Sequence, residues 1–188
     1  MAEQDSDAQK KLAEDLWQAV DNNGVTKVRS LLGQGADPNH QLYWSNEWAD
    51  DWEGIPPLHW ACWRGYLEIV KTLVTHGART DKGDRTNNST PLHWACMRGH
   101  KEVVQYLKEE VGCSTDVRDK WGSTPLHSAC GRGHIQLVKY LVEELKCDVD
   151  VTGDDGRTPF DWAVQFGRTE VADYLKSVVS TPEPGMCH

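Results

Sequence analysis

The peptide Thr-Pro-Leu-His-Trp-Ala-Cys recurs along this chain at a fixed period, and that recurrence restricts the fold before any other feature does. It stands intact at Thr90 to Cys96 and carries proline in its first place at Pro56 to Cys62. It carries serine for tryptophan at Thr124 to Cys130, and decays to Thr-Pro-Phe-Asp-Trp-Ala-Val at Thr158 to Val164. Ala61, Ala95, Ala129 and Ala163 fall 34 residues apart at each step. A period of this length with this signature marks a solenoid of stacked helical units.

Each copy carries its own helix signals. A threonine hydroxyl can cap free backbone N–H groups, and Pro91, Pro125 and Pro159 suit a first helical turn. Gly65, Gly99, Gly133 and Gly167 stand where these short helices must end in a left-handed residue. A second apolar run follows, with Val70, Leu73 and Val74 or Val103, Val104 and Leu107 at helical spacing. Such a helix pair has an apolar face that it cannot bury alone, so neighbours must stack.

These residues resemble the ankyrin repeat family. The signature continues through Gly65-Tyr66, Gly99-His100 and Gly133-His134 into the second helix, and a degenerate first unit keeps Val28 to Leu32 and Gly35-Ala36-Asp37. The resemblance implies an all-α fold, an ankyrin-repeat solenoid of helix–turn–helix units with β-turn or hairpin loops. It divides the chain into an N-terminal extension and helix start (1–12), repeats at 13–40, 56–89, 90–123, 124–157 and 158–180, a tryptophan-rich loop at 41–55 and a disordered tail at 181–188. The first and last repeats would act as caps with polar outer faces.

The departures are informative. Pro56 replaces a capping threonine, so that helix start loses a side-chain acceptor. Lys146 stands where the family places glycine, and a left-handed lysine costs about 1 kcal/mol more. Asn88 occupies another glycine position, which asparagine tolerates. The second helices ending near Val111 and Leu145 are each one residue longer than the one before Gly77.

Composition narrows the function. A net charge of −9 disfavours nucleic acid and anionic membranes as default partners. No apolar run approaches the roughly 20 residues of a membrane span, and the acidic start has no signal-peptide core. Cytoplasm or nucleus is the expected location. Cys62, Cys96 and Cys130 share one repeat position, and Cys113 and Cys147 share another. Equivalent residues in such a stack lie about 10 Å apart, beyond the roughly 7 Å reach of a disulfide, so these five read as small buried hydrophobes. Cys187, in the tail, is expected to be exposed and free, and the tail lacks the cysteine of a prenylation signal.

His59, His93 and His127 each precede a cysteine by three residues, a pair that could begin a zinc site. Zinc needs about four ligands within about 2.3 Å, which successive repeats cannot bring together. By resemblance this histidine is structural, tying one turn to the next, with Asp161 keeping only an acceptor there. No nucleophile–base set stands out, and Gly131-Arg132-Gly133-His134 lacks the preceding strand of a phosphate loop. No catalysis, cofactor or metal is expected.

Arg64, Arg98 and Arg132 recur with the repeat, just before the turn glycine. By resemblance that place lies on the concave face, where ankyrin proteins contact partners. The arginines either bind carbonyls or acids of their own stack, near Asp119 or Asp154, or meet an acidic or carboxylate-bearing segment of another protein. The 41–53 insertion holds Tyr43, Trp44, Trp48 and Trp52, which either form a satellite core or a contact patch. Trp121, at a later loop tip, has nothing near it in sequence to pack on. Trp60, Trp94 and Trp162 are expected mainly in the core. Asn39, eight residues after Leu31, resembles the site of ankyrin asparaginyl hydroxylation.

The expected partner surface therefore comprises Trp52, Trp63, Arg64, Met97, Arg98, Trp121, Arg132 and Phe166 on a monomer that binds another protein as inhibitor, scaffold or adaptor. The alternative is single-stranded nucleic acid held by the arginines and loop aromatics.

Overall fold

The computed structural model describes residues 2–41 and 54–179. Tyr43, Trp44, Trp48, Trp52, the tail and Cys187 fall outside the described residues. Helices follow in pairs: α1 (Ala2–Asp21) with α2 (Val25–Gly33), α3 (Pro57–Arg64) with α4 (Leu67–Thr75), and α5 (Pro91–Arg98) with α6 (Lys101–Gln105). Then come α7 (Pro125–Arg132) with α8 (Ile135–Lys139), and α9 (Pro159–Gln165) with α10 (Thr169–Val179). The inner helices α3, α5, α7 and α9 pack successively against one another, and α1 closes the row against α3. No β-strand forms among the described residues; the loops close as turns.

The repeated peptide explains the stack. Ala61, Ala95, Ala129 and Ala163 are fully buried, and their small side chains let inner helices approach closely. Leu58, Leu92 and Leu126 fill the space beneath, each stabilising the fold by about 2 kcal/mol through burial. Cys62, Cys96 and Cys130 are buried as expected, whereas Cys113 and Cys147 are only half-buried because they lie at the outer ends of the second helices. All five are free thiols.

The extra residue of the longer second helices is absorbed in place. Tyr106–Glu110 and Tyr140–Glu144 continue α6 and α8 as π-helical turns. The wider i→i+5 bonds run from Val111 N to Tyr106 O and from Leu145 N to Tyr140 O, both at 3.2 Å. Lys146 follows with φ 54°, in the left-handed region that its position demands. On this outer side Tyr140 donates to Glu109 at 2.8 Å and Tyr174 to Glu143 at 2.9 Å, clasping neighbouring pairs together.

Histidines join inner helices to the next turn. The Nδ1 of His93 accepts from Thr90 N at 3.2 Å and faces the Thr90 hydroxyl at 2.9 Å, so the proton sits on Nε2, which donates to Ser123 O at 3.0 Å. His127 repeats this with Thr124 and Arg157 O. His59 donates to Lys82 O at 3.1 Å, but its Nδ1 is buried without a partner, because Pro56 supplies neither hydroxyl nor N–H. Burial lowers all three pKa values, that of His59 to about 4. Asp161 accepts from the Thr158 N–H and hydroxyl, both at 2.8 Å, and reaches no further turn.

The turn glycines carry a second constraint besides backbone conformation. Gly99 has φ 74°, and a Cβ there would meet the His134 ring at 2.6 Å. That ring comes close because His134 Nε2 donates to Met97 O at 3.0 Å, just as His100 does to Trp63 O at 2.9 Å. Arg168 Nε takes over the role toward Gly131 O at 3.1 Å.

Candidate partner-binding surface

The arginine row follows from the helix ends. Arg64, Arg98 and Arg132 are the last residues of α3, α5 and α7, held outward by the glycines after them, and all three are exposed. Their surroundings differ. Arg64 pairs with Asp21 at 3.4 Å and lies over the rings of Trp60 and Tyr66 at 5.7 and 5.2 Å. Arg98 stacks over Trp63 at 4.7 Å. Among the described residues neither Arg98 nor Arg132 forms an ion pair, and neither meets Asp119 or Asp154. Asp21, which claims Arg64, lies 43 residues away at the end of α1, and nothing in the repeat pattern marks it.

Trp63 and Met97 are half-buried and occupy equivalent places on α3 and α5. With Arg132 from α7 they line a groove of about 270 Å³ whose floor is Trp94 and Asp84. Trp94 is buried, held by an edge contact with Trp63 at 5.4 Å and by donation from Nε1 to Asp84 Oδ2 at 3.0 Å. Asp84 also accepts from Thr86 N, Asn87 N and Ser89 N at 2.9, 2.7 and 3.2 Å, so its charge is buried but fully used. Sequence reading missed Asp84, whose only signal is its place at the head of the turn before Thr90-Pro91.

Trp60 and Trp162 are half-buried rather than core. Trp60 stacks on Trp17 at 5.4 Å and donates to Asp21 at 2.9 Å. Trp121 and Phe166 are each 49% exposed. Trp121 is not without packing: Lys120 Nζ lies 4.4 Å from its ring and donates to Thr86 O at 2.8 Å. Phe166 meets Trp162 edge-on at 5.9 Å, in room left by Gly131, where a Cβ would touch both rings. The structure thus joins Trp63, Met97, Arg98 and Arg132 in one area and puts Trp121 and Phe166 near Trp162.

Asn39 is engaged in the turn, donating to Gly77 O at 3.1 Å and accepting from Arg79 N at 2.8 Å. No helix among the described residues is long and apolar enough to cross a membrane.

The family described as ankyrin repeats (3 copies) matches residues 16–119 and 111–181, which together take in almost every helix. The chain belongs to the ankyrin repeat family. Ankyrin repeats are protein–protein interaction modules and are typically non-catalytic. Among curated proteins, the chain is 41% identical over 63 residues to the B-cell lymphoma 3 protein homolog of Mus musculus, covering 34% of this chain and 12% of that protein. It is 39% identical over 71 residues to the probable protein S-acyltransferase 23 of Arabidopsis thaliana, covering 36% of this chain and 13% of that protein. The chain thus spans only a small part of either relative's length, and the likeness is one of ankyrin repeats.

Proposed function

We propose that this chain is a non-catalytic binding protein that holds a segment of another protein along the face bearing Trp63, Met97, Arg98 and Arg132, acting as an adaptor, scaffold or inhibitor. The observation that carries the reading is the groove of about 270 Å³ lined jointly by Trp63, Met97 and Arg132, contributed by three different inner helices. Such a groove combines apolar area for burial with a guanidinium for orientation. Arg98 and Arg132 are exposed and form no ion pair among the described residues, which leaves their forked donors to a carboxylate-bearing segment. Arg64, already paired with Asp21, contributes less. Trp121 and Phe166 extend the surface at the far end. The five free thiols suit a reducing compartment, cytoplasm or nucleus, and a monomer suffices for the binding.

The test is affinity capture with Arg98→Glu/Arg132→Glu beside Lys139→Glu on the outer side. Loss of partners with the first and retention with the second, at unchanged thermal midpoints, is the expected result. Equal retention by both variants would move the site elsewhere.

A further inference from the structure

The groove bordered by Trp63, Met97 and Arg132 has a floor whose charged group is fully spent. Asp84 and Trp94 lie there, 4% and 7% exposed. Asp84 Oδ1 accepts from Thr86 N and Asn87 N, and Oδ2 from Ser89 N and Trp94 Nε1. These bonds fill the acceptor sites of a carboxylate, and an indole has a single donor. An acid entering as far as the floor would meet the Asp84 charge. An amide or ammonium would shed water there without an open lone pair to replace it. Buried Ile55 adds to the apolar lining, so the inner part of the groove favours an apolar side chain.

The rim has the opposite character. Arg132 borders the groove, is exposed and forms no ion pair among the described residues. Arg98 lies over the Trp63 ring at 4.7 Å and backs that wall of the groove. Asn87 also lines the groove, and its backbone N–H and C=O are taken by Asp84 and Lys120 N. Its carboxamide makes no hydrogen bond among the described residues, which leaves a donor and an acceptor for a peptide unit. An extended segment has such units free, whereas an α-helix spends them internally. Size limits the visitor further. Pockets for drug-sized ligands run from about 300 to 1,000 Å³. At about 270 Å³ this groove has room for one large side chain.

We propose that the groove takes one large aliphatic or aromatic side chain from an extended segment of the partner, and that an acidic residue two positions away meets Arg132 at the rim. Alternate side chains of an extended chain face the same way about 7 Å apart, so both can address one groove. The unbranched Met97 side chain adjusts to the shape of the apolar one. The inference rests on the partner-binding reading above and names what that surface selects: an apolar anchor inside, with the acid kept to the edge.

The experiment is selection of random peptides against the full chain, followed by calorimetric titration and by the resonance of the Met97 methyl group. Selected peptides should share a large apolar residue with an acid two positions from it. Changing the apolar residue to alanine should weaken binding about tenfold or more, and placing an acid there should abolish it. Changing the acid to its amide should cost about tenfold against the natural chain and little against Arg132→Gln, since the two changes remove one contact. The Met97 methyl should move on binding. Binders with the pair three or four residues apart, or indifferent to Arg132→Gln, or leaving the Met97 methyl unmoved, would overturn the proposal. So would a Met97 resonance that shifts with the concentration of the chain alone, which would make a second copy the occupant. Peptides lost with Arg98→Glu/Arg132→Glu but lacking the apolar and acidic pair would overturn this assignment and leave the partner-binding reading standing. A selection without binders would overturn both.

Discussion

The turn that leads into α5 and the turn that leads into α9 close alike, with Asp84 N to Ser89 O and Gly153 N to Arg157 O both at 2.9 Å, yet they differ in what they bury. The first places a carboxylate under Trp94 and satisfies four N–H groups with it. The second places glycine there and leaves the Trp162 donor open. Its N3 residue is Asp161 rather than histidine, so no bond passes to a following turn. The comparison separates two uses of one motif. In the first turn the indole and the carboxylate satisfy each other; in the second the indole is buried with no acceptor among the described residues.

The largest expected effect comes from making the first turn resemble the second. Asp84→Gly strands the Trp94 indole and three backbone donors, and should cost about 4 kcal/mol in urea unfolding. A loss below about 1 kcal/mol would mean that water replaces the carboxylate without penalty.

Acid should act next, through the histidines. Burial holds His59 at about 4, below the ordinary 6.5, so the folded state favours its neutral ring. That contribution is complete above about pH 6.5 and drains away as pH falls toward 4, by about 3 kcal/mol for His59. His93 and His127, shifted the same way, add to it. Thermal midpoints measured from pH 7 to pH 4.5 should fall steadily; a flat profile would contradict the buried, neutral rings.

The reverse substitution, Gly153→Asp, should stabilise by about 1 kcal/mol as the indole gains its acceptor. A destabilised chain would show instead that crowding against Trp121 O and repulsion from the Asp155 carboxylate, 3.2 and 3.3 Å from a Cβ at this position, outweigh the bond. A smaller gain, about 0.5 kcal/mol, is expected from Pro56→Thr, which returns an N–H and a hydroxyl to His59 Nδ1 while giving up the stiffness of proline. Calorimetry of the single variant decides its sign.

Much of this architecture is legible in the sequence because it repeats. Helix starts at Pro57, Pro91, Pro125 and Pro159 follow from the motif, and the left-handed Asn88 and Lys146 follow from the glycines they replace. The Asp84–Trp94 pair is hidden by turn length, since Asp84 lies five residues before its closing partner and Asp119 only four, which breaks the period. Trp17 and Asp21 are hidden because α1 has no repeat signature, although it supplies the stacking ring and the carboxylate for Trp60. The arginine row was visible as a pattern. Which arginine is spent depends on α1, and no spacing within the repeats encodes that.

The most direct measurement is site-specific photo-crosslinking, with a photoreactive residue at Met97 on the row of inner helices and, separately, at Lys139 on the second helices. The account predicts that a bound protein is captured through position 97 and not through position 139. Capture through 139 alone would contradict it and place the working surface on the opposite side of the stack.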